Sequence, residues 1–253
     1  MTNEMDKFSK ILKRKRRRRF LVFAFLFLLI IAAVVITSFI IFSINIIRID
    51  NQTNYDTSEI LKKAELSSGD FLLGIKEDKL KTRIMKEFPY VAEIDFGISY
   101  PDTLVMTFKA GKPDFAVEMA DGTFLYLDDS YKILEQRNDT EAGVLVLKGM
   151  TVDSFEIGSV LTSDDSLEIE ILSELLENLG KFGLESRVTS FDFSKKYNTI
   201  FTLDNRIDVE IGTSSDIDRK IELMVSILEK NKTDKKMNIN VRNYTQGRCR
   251  ILE

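Results

Sequence analysis

Residues 20–42 form an uninterrupted stretch of 23 residues without a charged side chain. As an α-helix this stretch would be about 35 Å long, which is enough to cross the roughly 30 Å hydrocarbon core of a membrane. A soluble protein would have to bury such a helix on every side. The stretch is too long for a secretory signal peptide and lacks its small-residue cleavage site. It therefore predicts a transmembrane helix over residues 20–43.

The charges on the two sides of this stretch predict its orientation. Residues 1–19 contain nine Lys or Arg residues against two acidic ones, whereas only Arg48 and Asp50 follow closely on the other side. Basic flanking segments stay in the cytoplasm. We expect a cytoplasmic tail at residues 1–19 and a type II single-pass protein whose later residues lie outside the cytoplasm. The tail residues on which this topology prediction rests are Arg14, Arg16, Arg17, Arg18 and Arg19.

Composition restricts what the region beyond the tail can do. It carries 27 basic and 38 acidic residues, a net charge of −11, which argues against nucleic-acid binding. Cys249 is the one cysteine, so no disulfide framework is available. The chain has no histidine, which removes the usual general base and the commonest metal ligand. We predict a protein that is not an enzyme, with no catalytic residues, cofactor, metal or small-molecule substrate.

Three local patterns that are typical of active sites have simpler interpretations. Gly69 and Gly74 have phosphate-loop spacing, but the required lysine is missing and the glycines connect two helices. The acidic pairs at residues 128–129 and 164–165 fit a hairpin turn and a helix N-terminus. Cys249 beside Arg250 is similar to a sortase-like pair, but no histidine is present to activate the thiol.

Residues 44–112 predict a small α+β module. Residues 44–49 are β-branched and alternate as in a strand, and residues 56–59 form a capping box that opens a short helix. A second helix is predicted over residues 76–87. Two strands follow, with apolar residues at 94, 96 and 98 and at 104, 106 and 108, separated by a turn at residues 100–103. The order is β-α-α-β-β.

From residue 113 onward most segments predict strands, which end with 237–241 and 249–252. Two helices interrupt them, one over about residues 164–182 and one opened by Ser215 and Asp218. Apolar residues at helical spacing predict the buried face of each helix. These residues are Leu167, Ile171, Leu175, Leu179 and Phe182 in the first helix, and Ile217, Ile221, Val225 and Leu228 in the second.

Five short features follow one another in residues 58–104. These features are residues 58–60, Gly69, Gly74, the motif at 88–91 (FPYV) and the motif at 100–104 (YPDTL). Their order resembles the POTRA domain of the bacterial division proteins FtsQ and DivIB. The resemblance implies an α+β fold with a single N-terminal transmembrane helix, a POTRA domain at 44–112 and a β domain at 113–253. In the β domain a mixed sheet would carry two helices, and residues 239–243 resemble its penultimate strand, with Asn240 in place of the usual Asp.

The resemblance also implies a function. It predicts a non-enzymatic membrane scaffold of the divisome that supports septum formation at the division site. Its partners would be FtsL-type and FtsB- or DivIC-type bitopic proteins, bound on the outer face. The alternative is another POTRA-bearing membrane assembly protein, in secretion or sporulation.

The C-terminal residues are the predicted partner-binding site. A terminal strand tends to lie at the edge of a sheet, where a partner's extended segment can pair with it. Arg248 and Arg250 would share one face and Cys249 and Ile251 the other. The alternative is a solvated arginine pair on an ordinary edge. The predicted partner-binding residues are Val241, Asn243, Tyr244, Gly247, Arg248, Cys249, Arg250 and Ile251.

Overall fold

The computed structural model describes residues 2–152, 154–161 and 166–252, and side chains from residue 20 onward except that of Ser166. The first helix, α1, runs over Thr2–Ile41. Its apolar part, Phe20–Ile41, is 22 residues long and exposed along its length, as expected of a transmembrane span, and near its end Phe39 contacts Phe71. The helix ends at Ile41, and Ser43 pairs with Phe71 in an isolated β-bridge.

The chain divides into two compact units. The first comprises the residues up to Gln52, with Asp56–Leu80 and Ile94–Phe108, and the second comprises Thr53–Tyr55, Lys81–Glu93 and the chain from Lys109 onward. After α1 the elements in the first part of the chain are β1 (Ile46–Asn51), α2 (Thr57–Ala64), a 3₁₀ turn (Leu72–Gly74), α3 (Glu77–Glu87), β2 (Val91–Ser99) and β3 (Thr103–Ala110). This is the predicted β-α-α-β-β order.

These strands form a three-stranded sheet in the order β1-β3-β2, with β1 parallel to β3 from Ile46 opposite Thr103 to Asn51 opposite Phe108. Asp56 caps α2 as predicted, because its carboxylate accepts a hydrogen bond from the Ser58 backbone N–H at 2.8 Å. The simple alternation expected in β2 is only partly right. Ile94 is buried and Phe96 half-buried, but Ile98 is exposed.

The rest of the chain builds a second, larger sheet. Its elements are β4 (Phe115–Glu118), β5 (Phe124–Leu127), β6 (Ile133–Arg137), β7 (Leu145–Lys148), α4 (Ser166–Lys181), a 3₁₀ turn (Glu185–Arg187), β8 (Val188–Asp192), β9 (Thr199–Leu203), β10 (Ile207–Gly212), α5 (Ile217–Lys230), β11 (Met237–Asn240) and β12 (Arg248–Ile251). The nine strands lie in the order β12-β11-β10-β9-β8-β7-β4-β5-β6. Parallel pairs join β4 to β7, β7 to β8 and β10 to β11, and the other pairs are antiparallel. The predicted mixed sheet with two helices is confirmed.

The predicted buried faces of the two helices are only partly right. In α4 the predicted Leu175 and Leu179 are fully buried together with Leu172, whereas Leu167 and, just after the helix, Phe182 are exposed. Apolar residues lie on several sides of α4, so the sheet and not the spacing selects the buried face. In α5 the predicted Ile217 and Ile221 are buried together with Lys220 and Met224, while Val225 and Leu228 are only partly buried. The acidic pair predicted to open α4 lies outside the described residues.

Two lysines are buried in the second unit. Lys132 Nζ donates to the Val91 carbonyl at 2.7 Å and lies 3.6 Å from Asp128 Oδ2. Lys220 Nζ donates to the Thr213 carbonyl at 2.7 Å. Burial lowers the pKa of both ammonium groups, partly offset at Lys132 by the Asp128 charge. The Lys132 side chain therefore links the turn before β6 to the first residue of β2. The Lys220 side chain links α5 to the loop that follows β10.

Candidate partner-binding edge

The last strand, β12, lies at one edge of the nine-stranded sheet, as a terminal strand was expected to do. It pairs antiparallel with β11, with Arg248 opposite Asn240 and Ile251 opposite Met237. All four residues of β12 are exposed. The strand therefore has β11 on one side and solvent on the other.

The hydrogen bonds of β12 show which backbone groups face that open side. The Leu252 N–H donates to the Lys236 carbonyl at 2.8 Å, so Leu252 faces β11. Backbone groups of alternate residues in an antiparallel strand point to the same side. Arg248 and Arg250 therefore direct their backbone groups toward β11. The N–H and C=O of Cys249 and Ile251 point to the open edge, in position to pair with an added strand.

The side chains of β12 alternate between two chemically different faces. Cys249 lies opposite Ile239, which is fully buried, so Cys249 and Ile251 share the face that carries the core. Arg248 and Arg250 lie opposite Asn240 and Asn238 on the other face. The predicted division of the four side chains between the two faces is confirmed.

The face of the sheet that carries Arg248 and Arg250 is polar, and its Glu210 carboxylate is already hydrogen-bonded to other side chains. Glu210 of β10 accepts hydrogen bonds from Asn240 Nδ2 at 2.7 Å and from Asn238 Nδ2 at 3.1 Å. Among the residues that the structure describes, neither Arg248 nor Arg250 forms an ion pair. Both guanidinium groups thus remain available to acidic side chains on an added strand.

The turn that leads into β12 is held by its own side chains and by α5. Asn243 Oδ1 accepts hydrogen bonds from the backbone N–H and hydroxyl of Thr245, at 2.9 and 2.7 Å. The Arg219 guanidinium lies 5.3 Å from the centre of the Tyr244 ring. A Cβ at Gly247 would lie 2.5 Å from Ile227 Cδ1, so a larger residue would require the ends of α5 side chains to move. These contacts fix where β12 begins.

The predicted partner-binding residues Val241 and Cys249 differ in their exposure. Val241 is fully buried, so its side chain is part of the core. Cys249 is exposed at the surface, and partial burial of its sulfur raises the pKa of the thiol. A thiol with a raised pKa stays protonated near neutral pH and is a weak nucleophile. Within the described residues no cluster of acidic or cysteine side chains has the arrangement of a metal site.

The opposite edge of the sheet, formed by β6, is partly covered by another segment of the chain, and the sequence did not predict this cover. Residues 158–161 run beside β6 and pair with its start. Gly158 N–H donates to the Ile133 carbonyl at 2.7 Å, and Ile133 N–H donates to the Ser159 carbonyl at 2.8 Å. A Cβ at Gly158 would lie 2.2 Å from the Lys86 carbonyl oxygen, which explains why a glycine stands there. The beginning of β6 is thus covered, whereas β12 is bare along the described residues.

The tail arginines at residues 14–19 were predicted to set the topology. The backbone of α1 passes through them, and their side chains lie outside the described part of the chain. Their role therefore stays a prediction.

Comparison with known proteins shows which family the chain resembles. Residues 42–107 match the family model described as a POTRA domain, FtsQ-type. The resemblance to the FtsQ/DivIB family is confirmed. Two similar relatives are the cell division protein DivIB of Clostridium botulinum strains Hall and Loch Maree, each 25% identical over 232 residues. The alignments cover 91% of this chain and 89% of each relative. The likeness to cell-division proteins thus extends from the POTRA domain over most of the chain.

Proposed function

We propose that this protein is a non-enzymatic scaffold of the bacterial division machinery that captures partner proteins by adding their strands to β12. The observation that carries the proposal is the bare edge formed by Arg248–Ile251, with two residues directing backbone groups outward. Supporting it are the FtsQ-type POTRA domain and the likeness to DivIB. The partners implied by the family resemblance are FtsL-type and FtsB- or DivIC-type bitopic proteins.

Strand addition gives affinity and specificity from different groups. The backbone of Cys249 and Ile251 would pair with the main chain of a partner, at about 1 kcal/mol net for each hydrogen bond. Arg248 and Arg250 would select segments with acidic residues at every second position, because a strand directs alternate side chains to one face. Exposed ion pairs contribute less than about 1 kcal/mol each, so the two arginines would contribute more to the choice of partner than to the binding affinity.

The predicted orientation of the membrane span would put the β12 edge outside the cytoplasm. The basic tail favours a cytoplasmic N-terminus, which would leave the POTRA domain and the nine-stranded sheet on the outer face. Single-span partners could then reach β12 with their own extracytoplasmic segments. A position at the division septum would follow from binding those partners.

The experiment compares two substitutions at one position. In Cys249→Pro the outward N–H is lost while the hydrogen bonds of β12 to β11 remain, and edge strands tolerate proline at such a position. In Cys249→Ala the thiol is lost and the N–H is kept. Full-length variants in detergent would be used to capture tagged FtsL- and FtsB/DivIC-type proteins. We expect the proline variant to lose capture and the alanine variant to keep it.

A charge variant gives an independent test of the same edge. Arg248→Glu with Arg250→Glu should reduce capture, whereas Lys195→Glu with Lys196→Glu, in the exposed β8–β9 loop, should not. Circular dichroism would verify that each variant is folded. Capture by a folded proline variant at the level of the unmodified protein would contradict the proposal.

A further inference from the structure

The junction between α1 and the first sheet is short and is held at every residue. Only residues 42–45 separate Ile41 from β1. The Phe42 carbonyl accepts a hydrogen bond from the Leu72 N–H at 2.8 Å, and the Ile44 N–H donates to the Asp70 carbonyl at 2.8 Å. The Asn45 N–H donates to the Asp102 carbonyl at 3.0 Å. Two loops, around residues 67–74 and 99–102, are thereby fastened to the end of the membrane span.

Aromatic contacts place these loops at the depth of the last turn of the span. The Phe71 ring lies 4.5 Å from the Phe39 ring, centre to centre. Phe39 is two residues before the end of α1, about 3 Å along the helix axis from its last residue. The Tyr100 ring meets the Phe42 ring edge-on at 6.2 Å. Phe71 therefore lies level with residues of the span itself.

The same two loops expose large apolar side chains. Leu73 is 51% exposed and Tyr100 is 68% exposed. The nearby carboxylates are already hydrogen-bonded within the loops. Asp70 accepts a hydrogen bond from the Ser67 N–H at 2.9 Å, and Asp102 accepts one from Asn45 Nδ2 at 3.1 Å. The surface around the end of the span thus exposes large apolar and aromatic side chains, and the two nearby carboxylates are hydrogen-bonded to groups of the same chain.

We propose that Phe71, Leu73 and Tyr100 form a juxtamembrane surface that inserts into the boundary between lipid headgroups and acyl chains. Continuity with the span identifies lipid as the occupant, because Phe71 packs on a side chain of the span. Aromatic residues favour this boundary, where their rings are in an apolar region and a phenol hydroxyl remains hydrated. The inference rests on the membrane anchor of the proposed function and is independent of the β12 edge.

This contact has a structural consequence for the first unit. A domain joined to a span by a loose linker can rotate freely above the bilayer. Here the hydrogen-bonded junction and the inserted loops hold the three-stranded sheet in one orientation at the membrane surface.

The chain contains no tryptophan, so single-tryptophan variants report depth without background. Leu73→Trp and Tyr100→Trp would be introduced separately into the full-length protein in phosphatidylcholine vesicles whose acyl chains carry bromine. Phe27→Trp, in the middle of the span, is the positive control. Gln52→Trp is the negative control, because it lies about 20 Å along β1 from Ile46 at 3.3 Å per residue.

We expect the emission at positions 73 and 100 to shift to shorter wavelength and to lose intensity in brominated vesicles, as at position 27, and the emission at position 52 to be unchanged. Quenching at position 27 without quenching at 73 and 100 would overturn the inference and leave the anchor standing. No quenching at position 27 would show that the span is not inserted, and would overturn the anchor together with the inference. Neither result bears on strand addition at β12.

Discussion

Replacing Lys132 by Met should destabilise the second unit strongly. The side chains of Lys132 and Asp128 are only 5% and 6% exposed, and Lys132 Nζ donates to the Val91 carbonyl at 2.7 Å. Removing one partner of a buried ion pair costs about 3–5 kcal/mol, because it leaves the other charge unpaired. The Val91 carbonyl also loses its hydrogen bond.

The local environment of Asp128 places the expected cost at the lower end of that range. Asp128 Oδ1 accepts hydrogen bonds from the Ser130 N–H, the Ser130 hydroxyl and the Lys132 N–H, at 3.0, 2.6 and 2.9 Å. These bonds remain after the substitution and continue to stabilise the carboxylate. We therefore expect a loss of about 3 kcal/mol in the free energy of unfolding. For a domain of this size that corresponds to a fall in Tm of about 6–12 °C.

The assay is denaturant unfolding of the full-length protein in detergent, followed by circular dichroism. Lys195→Met is the matched control, because Lys195 is exposed in the β8–β9 loop and should change stability by less than about 0.5 kcal/mol. The double variant Asp128→Asn with Lys132→Met should lose less than the sum of the single losses, since both changes remove the same pair. A Lys132→Met midpoint equal to that of Lys195→Met would refute the reasoning.

Three further predictions concern pH, backbone conformation and topology. The Arg187 guanidinium lowers the pKa of Asp204, so their pairing stabilises the fold above the unfolded pKa of 3.8 and is lost as the pH falls through the lowered value. Arg187→Gln should therefore cost about 1 kcal/mol at pH 7 and nothing in strong acid, as measured by urea unfolding. Gly158→Ala should destabilise the protein by about 1 kcal/mol or more beyond Gly122→Ala. Both glycines have positive φ, but only a Cβ at Gly158 would collide with a backbone carbonyl, and equal urea midpoints for the two variants would contradict this. Neutral residues in place of the arginines at 14–19 should give mixed topology with a C-terminal reporter, and uniform topology would count against the charge argument.

Local sequence patterns were enough to predict the strands and helices, but not all of the contacts between these elements. The span, the capped α2 and the alternating strands each carry their signal within a few residues. The buried face of α4 was only partly predicted, because apolar residues such as Leu167 and Leu172 lie on different sides of the helix and packing on the sheet decides which of them is buried. The buried Lys132 was also missed, since its acceptor on Val91 is 41 residues away in the chain.

The candidate partner-binding edge was likewise predicted only in part. Chain order and strand alternation predicted that β12 would be an edge strand with its arginines on one face. Two facts needed the fold. Val241 is part of the core, and the opposite edge at β6 is covered by residues 158–161, which pair with it across more than 20 positions of sequence. The contrast between a covered and a bare edge supports the proposal that β12 is the docking strand.

Disulfide trapping at Cys249 tests strand addition most directly. Cys249 is the one cysteine of the chain and lies on the edge strand, so the unmodified protein can be paired with single-cysteine variants of an FtsB/DivIC-type partner scanned along its extracytoplasmic segment. Strand addition predicts that trapping rises and falls at every second partner position, because alternate residues of an added strand face Cys249. Trapping should disappear in Cys249→Ser. A signal that is uniform along the segment, or that repeats with a helical period, would contradict strand addition at β12.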